Sequence, residues 1–515
     1  MITAKTIYSL HCVFFLFVCA HLNAGQIWLP ELFSDGMVLQ ADKPVAVWGK
    51  TGNSAEVSVA VGEEVLTTQA NESGQWRVTL KPLPPGGPYQ ITIRSGDEKV
   101  CLSDVVAGQV WLCSGQSNMG LELSKTAEGA APVASDPLLR VFTLPRQASA
   151  TPQEKMSVRK FQNKPWIEVL PETAPGFSAV AYYFGKAIRE ATGQPVGIIV
   201  AAVGGTEIDT WTDRETLESN PELKGILERW NEHVKALPAL EEEYNQKLAL
   251  WTAESEKAKA DGVTPRRPPG HPTKPGERNS PSANFNAMLH PLIPFTIRGF
   301  LWYQGENDAT ESRSSLYETH FPIFIKRMRQ LWGDESLPFY YVQLSNYGPA
   351  GTNGGGWPTI REAQRKALSL PKTGMAVTID IGDAADIHPK NKKDVGLRLS
   401  RHALANEYGK PMKTSGPLAE SAIQNGASVE VKFTNAEGLN VSDGSAPGQF
   451  ELAGETGGFI KAAGKIVRES VILDWSGPGA ARQVRYAWAG NPLANLYNVE
   501  KLPASPFEIP VNPGK

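Results

Sequence analysis

Residues 109–120 read Gln-Val-Trp-Leu-Cys-Ser-Gly-Gln-Ser-Asn-Met-Gly. The first four are an apolar run of strand character, and Gly115 and Gly120 bracket a turn that holds Ser117. A serine in such a place is either a helix cap or a nucleophile lifted off the end of a strand. Which of the two applies depends on what lies around it in the chain.

Outward from this stretch, apolar runs recur at 197–203, 297–303, 338–344 and 374–380, separated by amphipathic helical patterns at 179–192, 316–332, 360–369 and 394–408. Runs without alternation, spaced by helices, predict strands buried on both faces of a parallel α/β sheet. Before it, residues 25–106 carry short alternating runs broken by turns such as Pro84-Pro-Gly-Gly-Pro88, the pattern of a small sandwich-like β domain. After it, 411–515 returns to short β runs, which leaves 107–410 as the α/β domain. Within that domain, 234–282 reads as an insertion, charged and helix-prone from Leu240 to Lys259, then proline-rich and extended, a solvated excursion without chemistry.

The 515 residues, 41% hydrophobic and 20% charged, suit two or three globular domains, and a net charge of -3 gives no footprint for nucleic acid. Lys5, the apolar run 7–20 and the small residue Ala24 compose a secretory signal over 1–24, so a secreted or periplasmic location is expected. A lipoprotein anchor through Cys19 fits less well because Val18 precedes it. No later run has the length of a membrane span. Cleavage leaves Cys101 and Cys113, whose pairing the sequence leaves open.

In an open α/β sheet, sites form beyond the carboxyl ends of the strands. Those ends carry Ser117, then Gly204-Gly205-Thr206, then Gln304-Gly-Glu-Asn-Asp308, then Asp383-Ala-Ala-Asp-Ile-His388. Singly, each has a bland reading as a cap, turn or surface charge. Together they supply a nucleophile, a backbone donor, an amide donor and a base, the parts needed for acyl transfer. Among the histidines, His11 and His21 fall in the signal, His233 and His271 in or beside the insertion, and His320 and His402 in helices. His388 has acidic neighbours where His290 has none, which favours it as the base. The G-x-S-x-G elbow of α/β-hydrolases is absent, since Met119 stands where its second glycine belongs.

Gly115-Gln-Ser-Asn-Met119, Gly204-Gly-Thr206 with Ile208-Asp-Thr-Trp211, Trp302-Tyr-Gln-Gly-Glu-Asn307, and Asp386-Ile-His-Pro-Lys-Asn-Lys392 together resemble the sialate O-acetylesterase family of SGNH hydrolases. Asp35-Gly-Met-Val-Leu-Gln40 and the segment Asn491 to Phe507 extend the likeness over nearly the whole chain after the signal. The resemblance implies a flavodoxin-like SGNH domain with flanking β regions, removing acetyl groups from sugars without a metal or organic cofactor. It implies Ser117 as nucleophile, His388 as base, and the Ser117 and Gly205 N–H groups with the Asn307 amide as the oxyanion hole. Asp386 is the expected acid with Asp383 in reserve, since the family's usual position, 385, is alanine here; a Ser–His dyad is the other arrangement. Gln116, Gln304 and Glu306 are candidate substrate contacts. Asp380, Asp383 and Asp386 do not have the spacing of a calcium loop.

The expected partner is an O-acetylated sugar, with 9-O-acetylated sialic acid first and acetyl-xylan or another plant polysaccharide second. A non-catalytic carbohydrate binder using some of the 13 tryptophans is the reading from another class.

Overall fold

The computed structural model describes residues 26–129, 131–349, 351–352 and 355–514. The segment read as a signal, with Lys5, Cys12, Cys19 and Ala24, lies outside the described residues.

Seven strands follow one another across the central sheet: β1 (Glu98–Gly115), β2 (Asp136–Leu144), β3 (Trp166–Val169), β4 (Val196–Ala202), β5 (Gly299–Tyr303), β6 (Phe339–Val342) and β7 (Thr373–Ala376). Their spatial order is β7-β6-β5-β1-β4-β2-β3, and every neighbouring pair is parallel except β2 with β3. Register sorts their side chains onto two faces. Trp111 and Tyr340 meet Phe184 of α2 (Ala179–Thr192) and His402 of α6 (Lys392–Tyr408), while Phe300, Trp302 and Phe339 meet Phe324 of α4 (Ser314–Trp332). Helices therefore cover both faces, which is why the strands are apolar without alternation. The chain builds first to one side of β1 and then to the other, so the crevice at the reversal of strand order opens above the end of β1.

Gly115 makes that end possible. It pairs with Tyr303 across β1 and β5 and has φ +136°, and a Cβ there would stand 2.1 Å from the Tyr303 carbonyl oxygen. Only glycine accepts both conditions. The chain turns there and enters the single-turn helix α1 (Ser117–Gly120). Ser178, the N-cap of α2, accepts from the Ala181 N–H and donates to the Met119 carbonyl at 2.6 Å, tying that turn to a core helix.

β1 is 18 residues long, about 60 Å. Its first half pairs antiparallel with Gly86–Ser95 in the amino-terminal β region, and its last seven residues lie in the parallel sheet. The boundary read at 106/107 thus falls inside one unbroken strand. Cys101 and Cys113 sit 12 residues apart on this strand, about 40 Å, and both are free thiols, since a disulfide needs Cα atoms within about 7 Å.

The carboxyl-terminal strands, Leu418–Asn425 to Phe507–Pro513, form an eight-stranded sheet over a core that includes Val431, Phe433, Phe450, Tyr486 and Phe507. Arg361, in α5 (Trp357–Lys366), joins it to the α/β domain. Its buried guanidinium donates to the carbonyls of Leu344, Ser345, Ala489 and Gly490.

Two features differ from the sequence reading. β2 and β3 are absent from it: Asp136-Pro137 and the buried Arg140 interrupt the apolar run of β2, and β3 is only four residues long with Glu168 among them. Arg140 is accommodated by the Gly36 and Asp104 carbonyls and the Asp104 carboxylate. The insertion is also not a free excursion. Its helix, α3 (Lys224–Ala260), is a single 37-residue element that starts well before Leu240 and runs through Pro238. The proline-rich return is stapled back along it by Trp251 to the Arg266 carbonyl, Lys274 to Glu241, and His233 with the Thr273 carbonyl. Among the described residues no helix is long and apolar enough to cross a membrane.

Candidate active site

Loops from four strand ends converge above β1. Ser117 Oγ lies 2.8 Å from His388 Nε2, although 271 residues separate them in sequence. Both side chains are partly exposed, so a ligand can reach them. Asp386 Oδ1 accepts from the His388 backbone N–H at 2.8 Å and stands 3.4 Å from His388 Nδ1. That N–H, together with Lys390 3.1 Å away, holds the Asp386 carboxyl below its usual range. Asp383, the reserve acid, is turned elsewhere: its carboxylate accepts from the backbone N–H groups of Ala385 and Asp386 and shapes the loop.

The Gly204-Gly205 turn lies against the serine. A Cβ on Gly204 would be 3.2 Å from Ser117 Cβ, so a larger residue would press on it. Gly205 has φ +68° and open space on its side-chain face. Asn307 is partly exposed, and its side-chain amide makes no hydrogen bond among the described residues, which leaves it available to a ligand.

Gln116, Gln304 and Glu306, the candidate substrate contacts, are all buried. Gln116 Oε1 accepts from the backbone N–H groups of Gly305 and Asn307, so it sets the height of the Asn307 loop. Gln304 donates to the Thr206 carbonyl and to Asp308 and accepts from the Tyr317 hydroxyl. Asp308, which burial pushes up to about 6, also accepts from the Ile208 N–H and pairs with Arg313, itself 2.7 Å from Asp209. These hydrogen bonds brace the loops that form the site.

Glu306 belongs to a network that the sequence reading missed. Asn118, one residue after the serine, donates to Glu306 and to the Ile387 carbonyl beside the histidine, and accepts from Lys392 Nζ at 2.6 Å. Burial raises the Glu306 carboxyl and pushes Lys392 down to about 7, with each charge partly offsetting the other's shift. Asn118 thereby links the serine turn directly to the histidine loop. A signal was present in the sequence: Lys392 is the first residue of α6, where the helix dipole disfavours a cation, so some other interaction has to hold it there.

An exposed arginine from the end of the insertion, Arg278, reaches the same place, its Nη1 3.2 Å from the Gly204 carbonyl. Asn284 and Ser282 pin this return to Thr210 and Asp209.

Comparison with known proteins identifies a family. The family model described as carbohydrate esterase, sialic acid-specific acetylesterase, matches residues 107–252 and 283–405. The chain is 29% identical over 530 residues to a mouse protein named sialate O-acetylesterase, covering 92% of each, and 29% identical over 421 residues to the human protein of that name, covering 75% of this chain and 72% of that one. A crystal structure described as a novel carbohydrate acetylesterase from Xanthomonas citri superposes with TM-score 0.78 at 34% identity, covering 94% of this chain and 99% of that one.

Proposed function

Because the chain belongs to the sialic acid-specific acetylesterase family of carbohydrate esterases, and is an esterase of acetylated carbohydrate, we propose that it removes O-acetyl groups from sialic acids, the 9-O-acetyl group first, through an acetyl-enzyme on Ser117. The observation that carries the chemistry is the 2.8 Å contact between Ser117 Oγ and His388 Nε2. His388 takes the serine proton as Oγ attacks the acetyl carbonyl, and the tetrahedral oxyanion accepts from the Ser117 and Gly205 N–H groups and the Asn307 amide. His388 then protonates the departing sugar hydroxyl, and water, deprotonated by the same imidazole, releases acetate. Asp386 orients the ring from the Nδ1 side. The apolar run 7–20 supports a location outside the cytoplasm.

Two observations support sialic acid as the sugar. Relatives from mouse and human carry that activity in their names. Arg278, with no carboxylate partner among the described residues, offers its guanidinium near the serine to an anionic sugar. The test offers 9-O-acetylated sialic acid and acetylated xylan side by side and measures acetate release. Faster turnover of the sialic acid, with a KM raised about tenfold or more in Arg278→Ala, is expected. A preference for xylan would transfer the assignment to the plant-polysaccharide reading. The non-catalytic binder is set aside with the family assignment.

Two variants grade the supporting groups. Asn307→Ala should lower kcat by on the order of 10²–10³, the loss typical of one oxyanion donor. Asp386→Asn should cost about 10- to 100-fold, because the carboxylate is partly exposed and stands 3.4 Å from Nδ1, whereas Asp383→Asn should stay within about threefold in steady-state assays.

A further inference from the structure

Three residues beyond Gly204, at most about 10 Å along the chain, Glu207 begins a groove of about 350 Å³. Helix α3 supplies its far wall with Arg229, Trp230 and His233, the insertion's return supplies Asn279, and Arg313 closes its floor. We propose that this groove is a sugar subsite: it receives the neutral unit next to the acetylated one, so the preferred substrate is an O-acetylated oligosaccharide and not a free monosaccharide. The inference rests on Ser117 as the reacting centre.

The groove has the composition such a unit needs. Trp230 is partly exposed and backed by the His233 ring, 5.2 Å between centroids at 24°, which fixes a flat apolar wall for the C–H face of a pyranose. His233 is held in turn by the Thr273 carbonyl at 2.9 Å, which ties the wall to the insertion's return. Asn279 is partly exposed at the groove and its side-chain amide makes no hydrogen bond among the described residues, so it is open to a sugar hydroxyl. No single sign of charge dominates the lining: Arg229 is exposed at the groove with no ion pair among the described residues, opposite in sign to the carboxyl of Glu207. Arg313 is committed to Asp209 and Asp308, and Glu207, pushed up to about 7 by burial and the neighbouring Asp209, is only partly ionised at neutral pH. A hydroxyl-bearing neutral ring fits this lining better than a second anion. Arg278 stands between groove and serine, where the acetylated unit's own carboxylate would lie. The insertion's return closes one side of the groove through Thr273, Asn279 and Pro281, which gives that segment a purpose its composition does not suggest.

The test compares kcat/KM for 9-O-acetylated sialyllactose with that for free 9-O-acetylated sialic acid, and acetylated xylotetraose with acetylated xylose, in wild type, Trp230→Ala and Trp230→Phe. Each ratio is taken within one enzyme, so loss of active protein cancels. A wild-type ratio of about ten or more for at least one pair, falling toward one in Trp230→Ala and largely restored in Trp230→Phe, is the expected result. A ratio near one in wild type, or one that Trp230→Ala leaves unchanged, overturns the subsite. Calorimetric binding of unacetylated sialyllactose and xylotetraose to wild type and Trp230→Ala reads the groove without turnover. If 4-nitrophenyl acetate is not cleaved by wild type while one of these sugars binds in a Trp230-dependent way, the nucleophile assignment fails and the subsite holds; if neither binding depends on Trp230, the subsite fails.

Discussion

Ser117→Ala should reduce acetate release from every acetyl ester, sugar or aryl, by on the order of 10⁴–10⁶, while the protein remains folded. The loss is large because the hydroxyl is the proposed site of covalent attachment, and among the described residues no other hydroxyl makes the same contact with His388. The fold should survive because the side chain is partly exposed and its one side-chain hydrogen bond is to the histidine. The stability change should lie within about 0.5 kcal/mol, measured by denaturant titration. The residual rate would report what the oxyanion donors achieve alone. Activity within tenfold of wild type in a folded Ser117→Ala would remove this residue from the role.

His388→Ala should cost about as much as the serine variant, and the double variant should be no worse than either. Each residue is useless to the reaction without the other, so the two losses overlap where independent groups would multiply. The 381–389 loop should keep its shape without the imidazole. Asp383 caps Ala385 and Asp386, Asp386 accepts from the residue 388 backbone N–H, and Asn118 holds the Ile387 carbonyl. Loss of rate in this variant therefore reads proton transfer and not a collapsed loop. Multiplicative losses in the double variant would mean that the 2.8 Å contact is not the path of the proton.

The central sheet was legible because strands buried on both faces leave apolar runs that polar sequence interrupts, and β1, β4 and β5 have that form. The strand Asp136–Leu144 was not, because Arg140 is buried only by virtue of carbonyls from Gly36 and Asp104, distant in sequence. At the site, Ser117 and His388 were legible from their positions after strands and from the family's motifs. Which way Gln116, Gln304 and Glu306 point was not, since a polar residue beside a nucleophile has the same sequence signature whether it meets the ligand or braces a loop. Burial decides that, and burial is a property of the assembled fold. Asp386 and Asp383 differ for a similar reason: both accept from backbone N–H groups of the loop, and only the folded loop reveals which carboxylate also lies beside His388 Nδ1. The segment from Asn491 to Phe507, which carries part of the family likeness, forms a seam instead of a site. Asn491 accepts from Asn346, and Ser505 accepts from Gln343.

The unbroken strand from Glu98 to Gly115 limits how this protein can be recombined. Two domains joined by a linker can be shuffled, lengthened or trimmed at the joint. Here the joint is itself a paired strand, and beyond a bulge at Ser103-Asp104, where Asp104 has φ +55°, side chains alternate faces with a period of two. Deleting one residue between Val105 and Gln109 would turn Val110, Trp111, Leu112 and Cys113 to the opposite faces and carry Ser117 away from His388, whereas a loop elsewhere would absorb the same deletion. The amino-terminal β region is therefore not a detachable accessory, and grafts onto this catalytic sheet must preserve parity as well as sequence.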